Sequence, residues 1–257
     1  MTRSVEWPPS WWAAVTKPRP LAPALQGEAS ADVVVVGGGF SGLSTALHLA
    51  MRGRNVMLLE GMAVGWGASG RNNGQVIPTM SAAEPDVIVK RFGETGERLA
   101  RLIGDSAATL FQLVRDEHLE CEAEQTGWFQ PAHSPGRIKL SEQRVRAWER
   151  FGSPAKLLDR EACARLLGSD FWYGGMLNPT GGHINPLALA RSLADACVKR
   201  GVQLHEQSPV IDYTREGDGW CVRTAAGAVR CRALVLVTNA YTDALESKLE
   251  PRISREV

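Results

Sequence analysis

Two glycine-rich stretches near the amino end carry the chemistry this sequence offers. The first is Gly37-Gly38-Gly39-Phe40-Ser41-Gly42, which fits G-x-G-x-x-G. In that pattern Gly37 allows a tight turn, Gly39 lets the main chain approach a diphosphate, and Gly42 lets the following helix pack hard on the preceding strand. A phosphate there meets free N–H groups and the positive end of a helix dipole. Glu60 follows 18 residues past Gly42, where a carboxylate takes both hydroxyls of an adenosine ribose and repels a 2′-phosphate. The second stretch is Gly65-Trp66-Gly67-Ala68-Ser69-Gly70-Arg71-Asn72-Asn73-Gly74-Gln75. It is too rich in Gly and Asn for a helix, and long enough to wrap a large cofactor.

These residues need a frame, and the flanking sequence supplies one. Asp32–Val36 is a short β-branched run without alternation, as in a parallel strand covered on both faces. Apolar residues at 43, 46, 47 and 50 then mark one face of a helix, which Gly53 ends. A second strand, Asn55–Leu59, delivers Glu60 at its end. G-x-G-x-x-G alone is also the mark of any glycine-rich turn in an α/β domain. Here strand, turn, helix, strand and acid fall in register, and the expectation is dinucleotide binding. A nicotinamide-binding domain would continue with another βα unit after Glu60, so an NAD-dependent dehydrogenase is the weaker of the two enzymatic readings.

In both stretches the chain resembles the FAD-binding N-terminus of the D-amino-acid oxidase-like oxidoreductases, above all their gamma-glutamylputrescine oxidase and glycine oxidase branch. In that family a GASGRNxGQ loop runs past the pyrophosphate and under the isoalloxazine ring. Ser69, Gly70, Arg71, Asn72, Gly74 and Gln75 match it here. Asn73 stands where the family usually has Gly, and Asn tolerates a positive φ. The resemblance implies FAD contacts from these residues and from Gly37, Gly39, Phe40, Ser41, Gly42, Glu60, Gly61, Gly67 and Ala68. The family's GG-x-INP element recurs as Gly181-Gly182-His183-Ile184-Asn185-Pro186, crossing from substrate domain to cofactor domain. Resemblance also gives Val210 a backbone contact to adenine and sets Thr238, Asn239 and Ala240 beside the pyrophosphate.

The implied activity is oxidation of the C–N bond of an amine or amino acid. A hydride passes to the flavin, the imine hydrolyses in water, and oxygen or a quinone-linked carrier takes the electrons. FAD is expected to be non-covalent, because no His lies between 49 and 117. Family members run well past the equivalent of Val257. They carry there more of the substrate-domain sheet, substrate-carboxylate ligands and a last flavin-binding segment. The expectation is therefore a fragment, a truncated gene product or half of a split enzyme. A non-catalytic chain that binds FAD or a partner is the alternative from a different class.

The rest of the chain narrows the partners and sets the architecture. A formal charge of +1, with acids and bases interspersed, gives no electrostatic case for nucleic acid or an anionic membrane. Apolar runs are strand-length, short of a membrane span. Residues 1–26 lack a signal or transit pattern, and five cysteines without CxxC spacing read as reduced thiols, so a cytoplasmic protein is expected. No metal-spaced cluster can be assembled. Among the histidines, His48, His118, His133 and His205 read as packing or solvated residues. His183 is the weak candidate for a catalytic contact, and the catalytic residue is otherwise unassigned.

The expected fold class is α/β: a Rossmann-like FAD-binding domain with parallel sheet, helices and β-meander, and an inserted, incomplete α+β substrate domain. Residues 1–30, with five prolines and three tryptophans, are an arm clipped onto its own domain. Residues 31–82 form the first part of the FAD-binding domain, 83–182 the insertion, 183–250 the second part, and 251–257 a truncated tail. Within these the sequence predicts a helix from Glu94 to about His118 with apolar residues at 99, 102, 103, 107, 110 and 114. A strand pair in Glu120–Ala132 and a charged helix over Ser141–Arg150 follow. Asp159 caps a helix over Arg160–Leu167, and Asn185 with Pro186 starts another that Gly201 stops. Strands are expected at Val202–His205, Val210–Thr214, Trp220–Thr224, Ala228–Arg232 and Ala233–Val237.

Overall fold

The computed structural model describes residues 5–80 and 83–242. They form two compact units, the first of residues 5–73, 119–121 and 185–242, the second of 74–80, 83–118 and 122–184. The tail expected at 251–257 lies outside the described residues. In chain order the first unit opens with α1 (Trp11–Val15), β1 (Gly27–Val36), α2 (Phe40–Met51) and β2 (Val56–Leu59). The second contains β3 (Gln75–Val76), α3 (Pro85–Asp116), β4 (Trp128–Pro131), α4 (Pro135–Glu149), β5 (Lys156–Leu158), α5 (Arg160–Leu167), β6 (Gly175–Asn178) and β7 (Gly182–His183). The chain then returns to the first unit through α6 (Pro186–Lys199), β8 (Gln203–His205), β9 (Val210–Glu216), β10 (Gly219–Thr224) and β11 (Gly227–Leu236).

The first unit is built on one six-stranded sheet in the order β8-β2-β1-β11-β10-β9. The four strands from β8 to β11 run parallel, and β10 and β9 continue antiparallel. All four residues of β2 are buried, as their unbroken apolar run requires of a strand covered on both faces. Leu43, Ala46 and Leu47 of α2 are buried as the spacing predicts, and Gly53 follows the helix at φ 73°. Helix α6 begins where Asn185 and Pro186 dictate: the Asn185 side chain accepts from Ala188 N–H at 3.0 Å. The two helices touch where the Cys197 thiol donates to Leu43 O at 3.3 Å.

Two strand boundaries differ from expectation for one reason. β1 starts at Gly27, not Asp32, and the strands expected at 228–232 and 233–237 are a single strand, β11. Gly27 pairs with Gly227 and Val36 with Leu236, so the two strands match along their whole length. The other edge of β11 bonds β10 over its first half. One strand thus serves a parallel and an antiparallel neighbour, a sharing that local sequence does not signal. The arm is clipped onto its own unit: Trp12 Nε1–H donates to Asn72 O at 2.8 Å, and Trp66 Nε1–H to Glu6 O at 2.9 Å.

In the second unit β4 pairs with β6, and β6 with β5, both antiparallel. The strand pair expected within 120–132 is therefore corrected: only β4 forms there, and its partner lies far along the chain. Helix α3 begins at Pro85, ahead of the expected Glu94, and is broken at Gly93 (φ 55°, ψ −133°). The buried face of α3 is also not the leucine stripe. Gly96, Ala100, Gly104, Ala107 and Phe111 face inward, whereas Leu102 is 69% exposed. Small residues win because they admit close neighbours: a Cβ on Gly96 would overlap the Ile88 carbonyl. Helix α4 starts at Pro135, ahead of the expected Ser141. Asp159 caps α5 as predicted, accepting from Ala162 N–H at 2.8 Å, and Gly168 closes it at φ 67°.

Asn185 is 1% exposed, and its side chain also exchanges hydrogen bonds with Thr16. Asn185→Ala removes the α6 cap and orphans the Thr16 hydroxyl. The expected loss is about 1–2 kcal/mol in urea unfolding, with an unchanged slope.

Candidate functional site

The first glycine turn is shaped by close main-chain contacts. Gly37 leaves β1 at φ 116° and donates its N–H to Leu59 O at 2.9 Å. A Cβ on Gly42 would overlap the Gly37 carbonyl, so the start of α2 sits closer to the turn than any other residue type allows. The first backbone bond of α2 runs from Leu43 N–H to Gly39 O at 3.0 Å. The N–H groups of Phe40, Ser41 and Gly42 therefore lie outside the helical ladder. That of Phe40 donates to Ser69 Oγ at 3.0 Å.

The second glycine stretch is folded against the first. Gly65 N–H donates to Gly38 O at 3.1 Å, and a 3-10 turn over Ala68–Gly70 brings Ser69 beside Gly39. A Cβ on Gly70 would overlap the Gly65 carbonyl. The two stretches thus form one wall built mostly from bare main chain.

Glu60 stands at the end of β2, partly buried, with both oxygens engaged: Gly38 N–H donates to Oε2 at 2.6 Å and Met62 N–H to Oε1 at 2.8 Å. Burial pushes its carboxyl above the ordinary range. The backbone bonds from Met62, Gly38 and Gly61 pull it back down, and the charge of Glu206 adds to the rise. The segment after Glu60 is laced to the turn after β8. Glu60 N–H donates to His205 O at 2.8 Å, Gln207 N–H to Met62 O at 3.0 Å, and Ser208 N–H to Glu60 O at 2.8 Å.

Between these walls lies a cavity of about 810 Å³, a size typical of ligand sites. Of the residues expected to bind a cofactor, Gly37, Gly39, Phe40, Ser41, Glu60, Gly61, Gly67, Ala68, Ser69, Val210, Thr238 and Asn239 line it. Gly42, Gly70 and Ala240 lie behind the lining. Arg71 is turned aside, donating to Gly67 O at 3.2 Å and to Tyr241 Oη at 2.9 Å. Asn72 Nδ2 donates to Ser69 O at 2.8 Å. Gly74, Gln75 and His183 belong to the second unit, where Gln75 pairs with His183. The His183 side chain is 54% exposed, with Nε2 3.7 Å from Glu124 Oε2.

Sequence reasoning left out Val36, Gly38, Leu59, Met62, Gly65, Trp66, Pro209, Val237 and Tyr241 from the lining. Gly38 and Gly65 sit inside the two motifs. Val36, Leu59 and Val237 could have been found from the rule that ligands of open α/β sheets sit at the carboxyl ends of strands. Tyr241 carries no such signal. A short 3-10 turn, Asn239–Tyr241, carries its ring toward Trp66 at 6.3 Å between centroids, and Arg71 lies 5.6 Å from the Trp66 ring.

The wall can bind and orient, and its titratable side chains are Glu60 and Tyr241. Among the described residues there is no cluster of His, Cys, Asp and Glu able to hold a metal, and no helix long and apolar enough to cross a membrane. All five cysteines are buried as thiols outside any disulfide.

A family model described as FAD dependent oxidoreductase (DAO) matches residues 32–257. The chain is 36% identical over 250 residues to the gamma-glutamylputrescine oxidoreductase of Escherichia coli K12, covering 96% of this chain and 57% of that protein. It is 30% identical over 230 residues to human mitochondrial dimethylglycine dehydrogenase, covering 84% of this chain and 24% of that one. Among solved structures, L-proline dehydrogenase from P. horikoshii superposes with a TM-score of 0.72 at 22% identity, covering 87% of this chain and 56% of that one. Glycine oxidase from Geobacillus kaustophilus gives 0.70 at 22% identity, covering 86% and 58%. These two establish the fold. The chain spans a little more than half the length of the curated relatives it matches most extensively.

Hydroxyls that donate to Glu60 favour its ionised form, so binding an adenosine ribose there releases a proton. Affinity for FAD, read by fluorescence quenching, is expected to rise with pH through the raised Glu60 value and then level off. In Glu60→Gln that rise is expected to vanish, with affinity weaker by about 1–3 kcal/mol at the plateau. The ligand-free protein shows the opposite sign. The stability associated with this group is complete below the ordinary carboxylate value and is lost as pH rises through the raised one.

Proposed function

We propose, from the premise that this chain belongs to the FAD dependent oxidoreductase (DAO) family, that its cavity holds FAD non-covalently and that the protein oxidises the C–N bond of an amine or amino acid. The carrying observation is the cavity itself. Two glycine turns, each too tight for a side chain behind it, leave main-chain amides and a carboxylate facing one space. A dinucleotide fits the donor set. The Ser41 N–H group at the start of α2 suits the pyrophosphate, with Ser69 Oγ accepting from Phe40 N–H and keeping its own proton for a phosphate oxygen. Thr238 and Asn239 line the same region, and the remaining lone pairs of Glu60 suit the ribose hydroxyls. The Val210 backbone, beside Pro209, suits the adenine edge.

The bound flavin would supply the redox chemistry, taking a hydride from the carbon next to the amine nitrogen. The residues described here bind the coenzyme and fix its place, which is what such a reaction asks of a protein. The wall offers no nucleophile–base pair, and none is required. Substrate contacts are proposed for the second unit, with His183 as a weak candidate. The similarity to a gamma-glutamylputrescine oxidoreductase supports this substrate class. A nicotinamide-dependent dehydrogenase is disfavoured by topology: the strand beside β2 is β8, reached after the second unit, and not by a βα unit directly after Glu60.

The purified chain is expected to show a flavin absorption spectrum, as isolated or after adding FAD. Under anaerobic conditions that spectrum is expected to bleach with gamma-glutamylputrescine or another primary or secondary amine. Bound flavin that no amine or amino acid bleaches would shift the reading to a non-catalytic FAD-binding chain. A colourless chain that takes up no FAD would overturn it, and binding of NADH instead would favour the dehydrogenase.

A further inference from the structure

Glu206 directly follows β8 and is 1% exposed. Its carboxylate is met from three sides. Oε2 accepts from the Arg19 guanidinium at 2.8 Å and from Ala22 N–H at 2.6 Å, while Oε1 accepts from Val64 N–H at 2.7 Å. Arg19, with its side chain 13% exposed, also reaches Asp195 of α6 at 2.7 Å. One carboxylate therefore joins the arm, the turn after β8, and the segment leaving β2. Val64 is the residue before Gly65, whose N–H donates to Gly38 O. Burying a carboxylate is costly unless its oxygens are filled by charged and backbone donors, as these are, and apolar residues could close such a junction without that cost. A junction that needed only packing does not call for this residue.

We infer that Glu206 is a positioning residue of the coenzyme site: held by Arg19, it grips Val64 N–H and so fixes the segment that carries Glu60 into the second glycine turn. The inference rests on the proposed reading of the cavity as an FAD site. Its first support is geometric, since the Val64 contact anchors the wall from Gly65 to Ser69 at its root. Its second is electrostatic, since the charge of Glu206 reaches Glu60 and adds to what burial does to that carboxyl. Glu60 otherwise faces the N–H groups of Met62, Gly38 and Gly61. Around Glu206 stand Arg19, Asp195 behind it, and Arg191, which burial and Arg19 disfavour as a cation and Glu206 favours. Glu206 is thus placed to set both the position and the titration of the ribose-binding acid.

The test measures the FAD dissociation constant of the full chain against pH, with thermal unfolding as a control for folding. Glu206→Gln is expected to weaken FAD binding by about tenfold or more, the size of a lost charge-assisted hydrogen bond. It is also expected to move the acid midpoint of binding to lower pH, because a charge opposing Glu60 ionisation has gone. The double variant Arg19→Met/Glu206→Gln leaves no buried charge without its partner, and is expected to fold and to show both changes. A folded double variant with wild-type affinity and midpoint would overturn the inference. So would weaker binding with an unmoved midpoint, the mark of general loosening. A wild-type chain that does not bind FAD would sink the reading of the cavity and this inference with it, whereas a wild type that binds beside an unaffected variant sinks the inference alone.

Discussion

The first unit depends on a steric constraint: two main-chain turns must pack against carbonyl oxygens with no side chain between. Gly42 lies on the Gly37 carbonyl and Gly70 on that of Gly65, and in each case a single methyl group would overlap the oxygen. Because these contacts are made by backbone, residues of both turns, Gly37 to Ser41 and Gly65 to Ser69, line one cavity. The helix start adds its own unpaired N–H groups to the same space. A cavity results that is lined by donors before any side chain is considered.

Keeping that space open requires the surrounding chain to be held from outside. Three backbone bonds tie the segment after β2 to the turn after β8, and the amino-terminal arm is fastened by Trp12 and Trp66. Two carboxylates sit within this scaffold, and their roles differ. Glu60 faces the cavity, with its carboxyl shifted upward mainly by burial, whereas Glu206 is enclosed and turned to Arg19 and main-chain donors. Burial of acids is affordable here because every oxygen finds an N–H or a guanidinium.

The second unit is governed by different physics. Its long helix buries glycine and alanine instead of leucine, and at Gly96 a Cβ would overlap the Ile88 carbonyl. A large side chain at the right period is therefore a poor guide to the buried face when the contact is tight. The sheet there makes the same point, because β4 finds its partner in β6 and not in the adjacent sequence.

What the sequence by itself determined was local and chemical. The glycine spacing, the buried end of β1 at Val34–Val36, the buried strand β2, Glu60 at a strand end, and the caps Asp159 and Asn185 each follow from one short window, where sterics and hydrogen bonding act between near neighbours. Twelve of the expected contact residues face the cavity for that reason. The tertiary structure alone decided which strand edges meet, so that β11 serves two partners and β1 reaches back to Gly27. It alone brought Tyr241 to Trp66 and Arg71, and joined Arg19 to Glu206 across the chain. Such pairings are set by the closing of the sheet and of the loops around it, and no window of neighbouring residues contains both partners.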